Sequence, residues 1–243
     1  MSTPPLFLVE QVPSAGPFDL TGAEGRHAAR VKRLAVGEAI RIGDGRGRVA
    51  SCVVSEVRAD GLRLSVSAVT SVPAPSPRLV AVQALPKGER AELAVEVMTE
   101  LGVDEIVPWA ASRSIVRWEG PRGARALEKW RRTAAEAAKQ SRQVRVPAVA
   151  ELATSKQVAA LLADATGLVL HESASVSLAS APLPSEGDVI IVIGPEGGVS
   201  DAELAQFAGA GAVAVRMGEP VLRTSTAGAA ALAALSLRLG RWS

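Results

Sequence analysis

The chain has 243 residues, of which 48% are hydrophobic and 21% charged, a length that suits one large domain or two modest ones and needs no disulfides to fold. Cys52 is the single cysteine, and His27 and His171 are the only histidines, so disulfide frameworks, iron–sulfur clusters and multi-cysteine zinc sites are excluded and a metal centre has no support. The net charge of +2 is small but unevenly spread: residues 111–147 hold ten basic and three acidic groups, a local footprint that suits a polyanion or, alternatively, a solvated helix face.

Residues 1–72 read as a small β-barrel or sandwich. The runs Ala39–Ile42, Val49–Val57 and Leu62–Val66 alternate with period two and are separated by the turn sequences Gly43-Asp44-Gly45 and Asp60-Gly61. A helical piece between residues 24 and 36 is rich in basic side chains and suits RNA contacts in this domain or, alternatively, a solvated helix. Residues 73–77 hold three prolines in five positions and read as a stiff linker.

Residues 78–243 alternate strand and helix. Strands are predicted at Leu79–Leu85, Glu105–Trp109, Ser114–Trp118, Gly167–Leu170, Val189–Ile193 and Ala212–Val215. Helices are predicted at Glu89–Leu101, Arg122–Gln143, Thr154–Ala163, after the capping-box sequence Ser200-Asp201-Ala202-Glu203, and at Thr226–Leu239. This alternation implies an α/β domain with a mainly parallel sheet. With no signal-peptide pattern and no run of about 18 apolar residues, a cytoplasmic protein without a membrane span is expected.

Two loops carry the chemistry. Ile193-Gly194-Pro195-Glu196-Gly197-Gly198 lies between a buried strand and a capped helix, where glycines let the backbone approach a ligand; a plain strand-to-helix turn is the alternative. The spacing matches neither the dinucleotide nor the P-loop fingerprint, which disfavours a nucleotide-dependent oxidoreductase. Met217-Gly218-Glu219-Pro220-Val221-Leu222-Arg223 follows the last strand; Met217, Val221 and Leu222 form an apolar strip suited to an adenine ring. Arg223 stands before a helix, where a cation is electrostatically unfavourable, so anion recognition explains it better than stabilisation.

Together these loops resemble those of the small-subunit (16S) ribosomal RNA (uracil-N3)-methyltransferases, members of the SPOUT class of trefoil-knot enzymes. The resemblance extends through His27, Val31, Arg33 and Gly37 of the first domain, Ala84-Leu85-Pro86-Lys87-Gly88, Thr99–Val103, Ser112-Arg113-Ser114, and the helix from Trp130 to Ser141. It implies a PUA-like RNA-binding β-barrel, a knotted α/β domain, S-adenosylmethionine as cofactor, 16S ribosomal RNA of the small ribosomal subunit as substrate, and a homodimer. The implied cofactor residues are Leu170, His171, Ile193, Gly194, Pro195, Gly197, Gly198, Met217, Gly218, Val221, Leu222 and Thr226. The implied RNA contacts are His27, Arg30, Arg33, Lys87, Arg113, Arg131, Arg132, Gln140 and Arg142.

Methyl transfer to uracil N3 needs a proton removed and an anion stabilised. Arg223 is assigned the stabilisation. Glu196 is the nearest candidate base, with a loop-shaping carboxylate as the alternative. One position departs from the family pattern: Ser225 stands between the two threonines of the last loop, where an acidic residue is usual. A non-catalytic ribosomal RNA-binding protein, or a SPOUT enzyme with another target, is the competing function.

Overall fold

The computed structural model describes residues 3–88 and 90–242. They form two compact units, Met1–Ala74 with Ala138–Val146, and Pro75–Ala137 with Pro147–Ser243.

The first unit contains β1 (Leu6–Leu8), β2 (Gly16–Leu20), a short helix α1 (Gly22–Arg26) continued by a π-helical turn at His27–Val31, β3 (Ala39–Gly43), β4 (Arg48–Arg58) and β5 (Gly61–Ser71). The sheet order is β1-β3-β4-β5-β2, antiparallel except for β1 beside β3. Period-two alternation has the expected result: Ile40, Ile42, Ala50, Cys52, Val54, Leu62 and Leu64 are all buried in one core. Burial pushes the Cys52 thiol up to about 11, so it behaves as a small apolar side chain. The π-helical turn ends the helical stretch earlier than the sequence suggests, and the chain leaves it through Arg33 in the left-handed region at φ 53°.

Residues 138–146 group with this first unit, whereas their sequence suggests that they belong to the second. The reason is backbone pairing across about a hundred positions. The Val146 N–H donates to Gly45 O at 2.8 Å, the Gly47 N–H to Val144 O at 3.1 Å, and Arg46 and Arg145 form an antiparallel bridge. The Arg145 guanidinium also donates to the Val72 and Pro73 carbonyls.

The second unit contains β6 (Arg78–Ala84), α2 (Arg90–Glu100), β7 (Glu105–Trp109), α3 (Gly120–Gln140, its last three residues grouped with the first unit), β8 (Ala148–Val149), α4 (Ser155–Ala163), β9 (Thr166–Leu170), β10 (Val176–Ser177), β11 (Asp188–Ile193), α5 (Asp201–Gly209), β12 (Val213–Arg216) and α6 (Thr224–Arg238). Its seven strands lie parallel in the order β10-β12-β9-β11-β6-β7-β8. Central strands β11 and β6 are buried on both faces, as their unbroken aliphatic runs require. One face packs against α2, α3 and α6 through Met98, Trp130 and Leu232; the other packs against α4 and α5 through Leu162 and Phe207.

Residues 114–118 are not the strand that their sequence suggests. The Ser114 N–H closes a turn on Ala111 O, and Ile115 is exposed. Val116 and Trp118 place their apolar side chains on the helical layer, where Trp118 meets Trp130 edge-on with centroids 5.0 Å apart. No described helix is long and apolar enough to cross a membrane.

Candidate active site

Strand β11 delivers its last residue, Ile193, to the carboxyl end of the sheet, where the chain turns through residues 194–199 into α5. Gly198 has φ +73° and its N–H closes the turn on Pro195 O at 2.9 Å. Gly197 sits in close quarters instead: a Cβ there would stand 3.2 Å from Arg113 Cβ and 3.3 Å from Arg113 O, a tight fit. The glycine loop is therefore pressed against the loop that follows β7.

A cavity of about 680 Å³ opens at the carboxyl ends of β9, β11 and β12, adjacent strands of the sheet. Leu170 and His171 line it from the end of β9, Ile193, Gly194, Pro195, Glu196, Gly197 and Gly198 from the end of β11 and the glycine loop, and Met217, Gly218, Val221, Leu222 and Arg223 from the loop after β12. Thr226 is not in the lining; its hydroxyl is turned back to donate to Arg223 O at 3.1 Å. The cavity also takes in Arg113, Glu172, Asp201, Arg216, Pro220 and Thr224, which the sequence does not assign to cofactor binding. Their proximity to the two loops along the chain is the signal that points to most of them; Arg113 reaches the cavity only through tertiary packing.

The helix α6 is fastened to the glycine loop by the Thr224 hydroxyl, which donates to Gly194 O at 2.8 Å. Arg223 is the N-cap of α6, exposed, with extended backbone and no side-chain capping bond. Its guanidinium therefore points no hydrogen bonds into its own helix. Ser225 is buried in the first turn of α6 and does not line the cavity.

Glu196 braces the loop, since its Oε1 accepts the Lys87 main-chain N–H at 3.1 Å and so ties the glycine segment to the turn after β6. His171 extends the sheet by donating its main-chain N–H to Val215 O, while its Nδ1 accepts the Ser173 N–H at 3.2 Å.

The most heavily bonded side chain near the cavity is Glu203, 4% exposed on α5. It forms a reciprocal capping box with Ser200. It also accepts from the Ser112 N–H, the Ser112 hydroxyl and the Ser155 hydroxyl, each at 2.8 Å. Burial, the largest single influence, pushes this carboxyl up; the hydrogen bonds from Ser200 and Ser112 together outweigh it and bring the pKa down to about 2.

The residues expected to contact RNA are distributed over both units. In the first, His27 is half-buried with its ring edge-on to Phe7, Arg30 donates twice to Ala59 O, and Arg33, Gln140 and Arg142 are exposed. In the second, Lys87, Arg113 and Arg132 are exposed, whereas Arg131 is engaged by Glu128 and Glu151. The basic segment is thus partly neutralised, since Lys129 pairs with Glu92 and Lys139 with Glu24.

A parallel α/β sheet with a glycine-rich cavity at its strand ends defines an α/β ligand-binding protein, here with a preceding β-domain. Residues 73–236 match the RNA methyltransferase domain family, and residues 20–67 the RNA methyltransferase PUA domain. A curated relative from Mycobacterium bovis, named ribosomal RNA small subunit methyltransferase E, is 43% identical over 98% of this chain and 93% of its own length. One of the same name from Bacillus subtilis is 30% identical over 93% of this chain and 92% of its own. The crystal structure of a ribosomal RNA small subunit methyltransferase E from Neisseria gonorrhoeae bound to S-adenosyl methionine superimposes with a TM-score of 0.86 at 27% identity, covering 99% of this chain and all of that one. The chain belongs to the RNA methyltransferase family, with a PUA domain at its amino-terminal end.

Proposed function

We propose that this protein transfers a methyl group from S-adenosylmethionine to N3 of a uridine in 16S ribosomal RNA of the small ribosomal subunit. The observation that carries the reading is the cavity at the ends of β9, β11 and β12, where the glycine loop, an apolar wall and Arg223 converge. Its volume suits a nucleoside-sized ligand, and its lining suits the parts of this one. Leu170, Ile193, Met217, Val221 and Leu222 offer apolar surface for an adenine ring, and the glycine loop exposes main-chain groups to polar substituents. Supporting it further are the relatives' names and the cofactor bound in the Neisseria gonorrhoeae structure.

When bound, the cofactor supplies an electrophilic methyl on a sulfonium. The chain's own residues have then to hold the uracil, accept its N3 proton and stabilise the resulting anion. Arg223 places a permanent charge beside a uracil oxygen and lowers the cost of the developing negative charge. Glu196 keeps the glycine loop in place through one carboxylate oxygen and offers the other to the departing proton. With the methyl donor already activated, positioning and charge stabilisation supply most of the acceleration.

In this reading residues 1–72 grip the RNA and residues 78–243 carry out the transfer. The protein works in the cytoplasm as a homodimer; the exposed Leu237 and Trp242 give the second unit apolar surface for a partner subunit to cover. Mass mapping of small-subunit RNA from cells with and without the protein tests the assignment. One uridine lighter by a methyl group in its absence is expected, and unchanged RNA would overturn the reading.

A further inference from the structure

We propose that Glu203 is a positioning residue that fixes Arg113 at the mouth of the cavity, where Arg113 contacts a phosphate of the RNA. The inference rests on the RNA-methylating reading above, from which it takes the polyanionic substrate.

A carboxylate that only caps α5 needs its two contacts with Ser200, whose N–H and hydroxyl both donate to it. Glu203 makes these and three more, which reach two other segments: Ser112 in the loop after β7, through both main chain and hydroxyl, and Ser155 at the start of α4. The Ser112 and Ser200 hydroxyl oxygens lie 3.0 Å apart, both gathered at the same carboxylate. Such a satisfied, ionised and buried hub is rigid. Ser112 is one peptide bond from Arg113, and fixing the Ser112 N–H sets the direction in which the chain enters Arg113.

Arg113 is then held from its other side. Its main chain lies against Gly197, and its Nη1 donates to Gly197 O at 3.3 Å. Among the described residues no carboxylate pairs with it, and it is exposed at the cavity. One weak bond to a carbonyl leaves most of the guanidinium fork free for a bidentate anion. A side chain ordered before the substrate arrives loses less entropy on binding, which is the physical benefit of the hub.

The test compares Arg113→Ala, Glu203→Gln, Ser112→Ala and the double variant Glu203→Gln/Arg113→Ala in the full-length protein. It reads the Kd for 16S ribosomal RNA by direct binding, methylation kcat and KM, the Kd for S-adenosylmethionine by calorimetry, and Tm. Arg113→Ala is expected to weaken RNA binding about tenfold, the loss of one charge-assisted contact. Glu203→Gln and Ser112→Ala are expected to weaken it severalfold, with cofactor affinity held within twofold. Adding Glu203→Gln to Arg113→Ala is expected to do nothing further to RNA affinity, because both act through one guanidinium. Effects that simply add, or that fall on cofactor affinity, would overturn the proposal, and so would an Arg113→Ala protein with undiminished RNA binding. Should Glu203→Gln unfold, the same cycle built on Ser112→Ala decides. RNA binding without methylation by the unaltered protein would overturn the proposed function instead, while the binding cycle still reads the role of Glu203.

Discussion

The Thr224 hydroxyl donates to the Gly194 carbonyl at 2.8 Å, joining the first turn of the last helix to the first residue of the glycine loop. Two parts of the cavity lining, separated by thirty positions in the chain, are thereby held at a fixed spacing. Thr224→Val keeps the shape and removes the donor, leaving Gly194 O unpaired in a partly buried setting at a cost of about 1–2 kcal/mol. Calorimetric titration with S-adenosylmethionine is expected to show affinity lower by about tenfold with a small change in Tm.

Glu196 holds the Lys87 N–H with one oxygen, and the two roles assigned to it separate by substitution. Glu196→Gln retains an acceptor for Lys87 but no base; methylation is expected to fall by about a hundredfold with cofactor affinity kept. Glu196→Ala loses the anchor as well and is expected to weaken cofactor binding too. Equal activity of the Gln variant and the unaltered enzyme in single-turnover assays would confine Glu196 to shaping the loop.

Arg223 caps α6 without a side-chain capping bond, so its removal sacrifices no bond within the helix. Arg223→Ala is expected to cut the methylation rate by about 10²–10³-fold, the scale of one lost charge-stabilising group, with cofactor affinity changed by no more than a few fold. Arg223→Lys is expected to recover little, since a point charge does not reproduce the planar fork. Single-turnover rates measured beside calorimetric titrations separate the two effects.

The Glu203 carboxyl titrates near 2 in the folded protein, below the ordinary carboxylate value. Because the folded pKa is depressed, the stabilisation is fully present above about pH 4.5 and is lost as pH falls toward 2. The unfolding free-energy gap between the unaltered protein and Glu203→Gln, from denaturant titrations, is expected to be constant from pH 5 to 7 and to shrink below that. Glu203→Ala leaves several partly buried donors unpaired and is expected to cost about 3 kcal/mol at neutral pH.

Much of the fold is legible in local sequence because its signals are local. The aliphatic run Val189–Ile193, the glycines after it and the Ser200-to-Glu203 capping box specify a buried strand, a turn and a helix start within fifteen residues, and the structure has all three there. The short strands β1, β2, β8 and β10 escape notice, being too brief or too poor in alternation to carry a period. Residues 114–118 carry a strand-like pattern that answers to helix packing, since periodicity records which side chains are buried and not what buries them.

The sequence by itself determined the α/β alternation, the preceding β-domain, and the two loops that meet at the cavity. Tertiary structure alone decided that Glu203 reaches 91 positions back to Ser112 and 48 to Ser155, and that residues 138–146 pair with the turn at Gly45–Gly47. A capping box satisfies neighbours along the chain and is written in its spacing. Hydrogen bonds between distant segments depend on where the sheet places them, and no spacing encodes that.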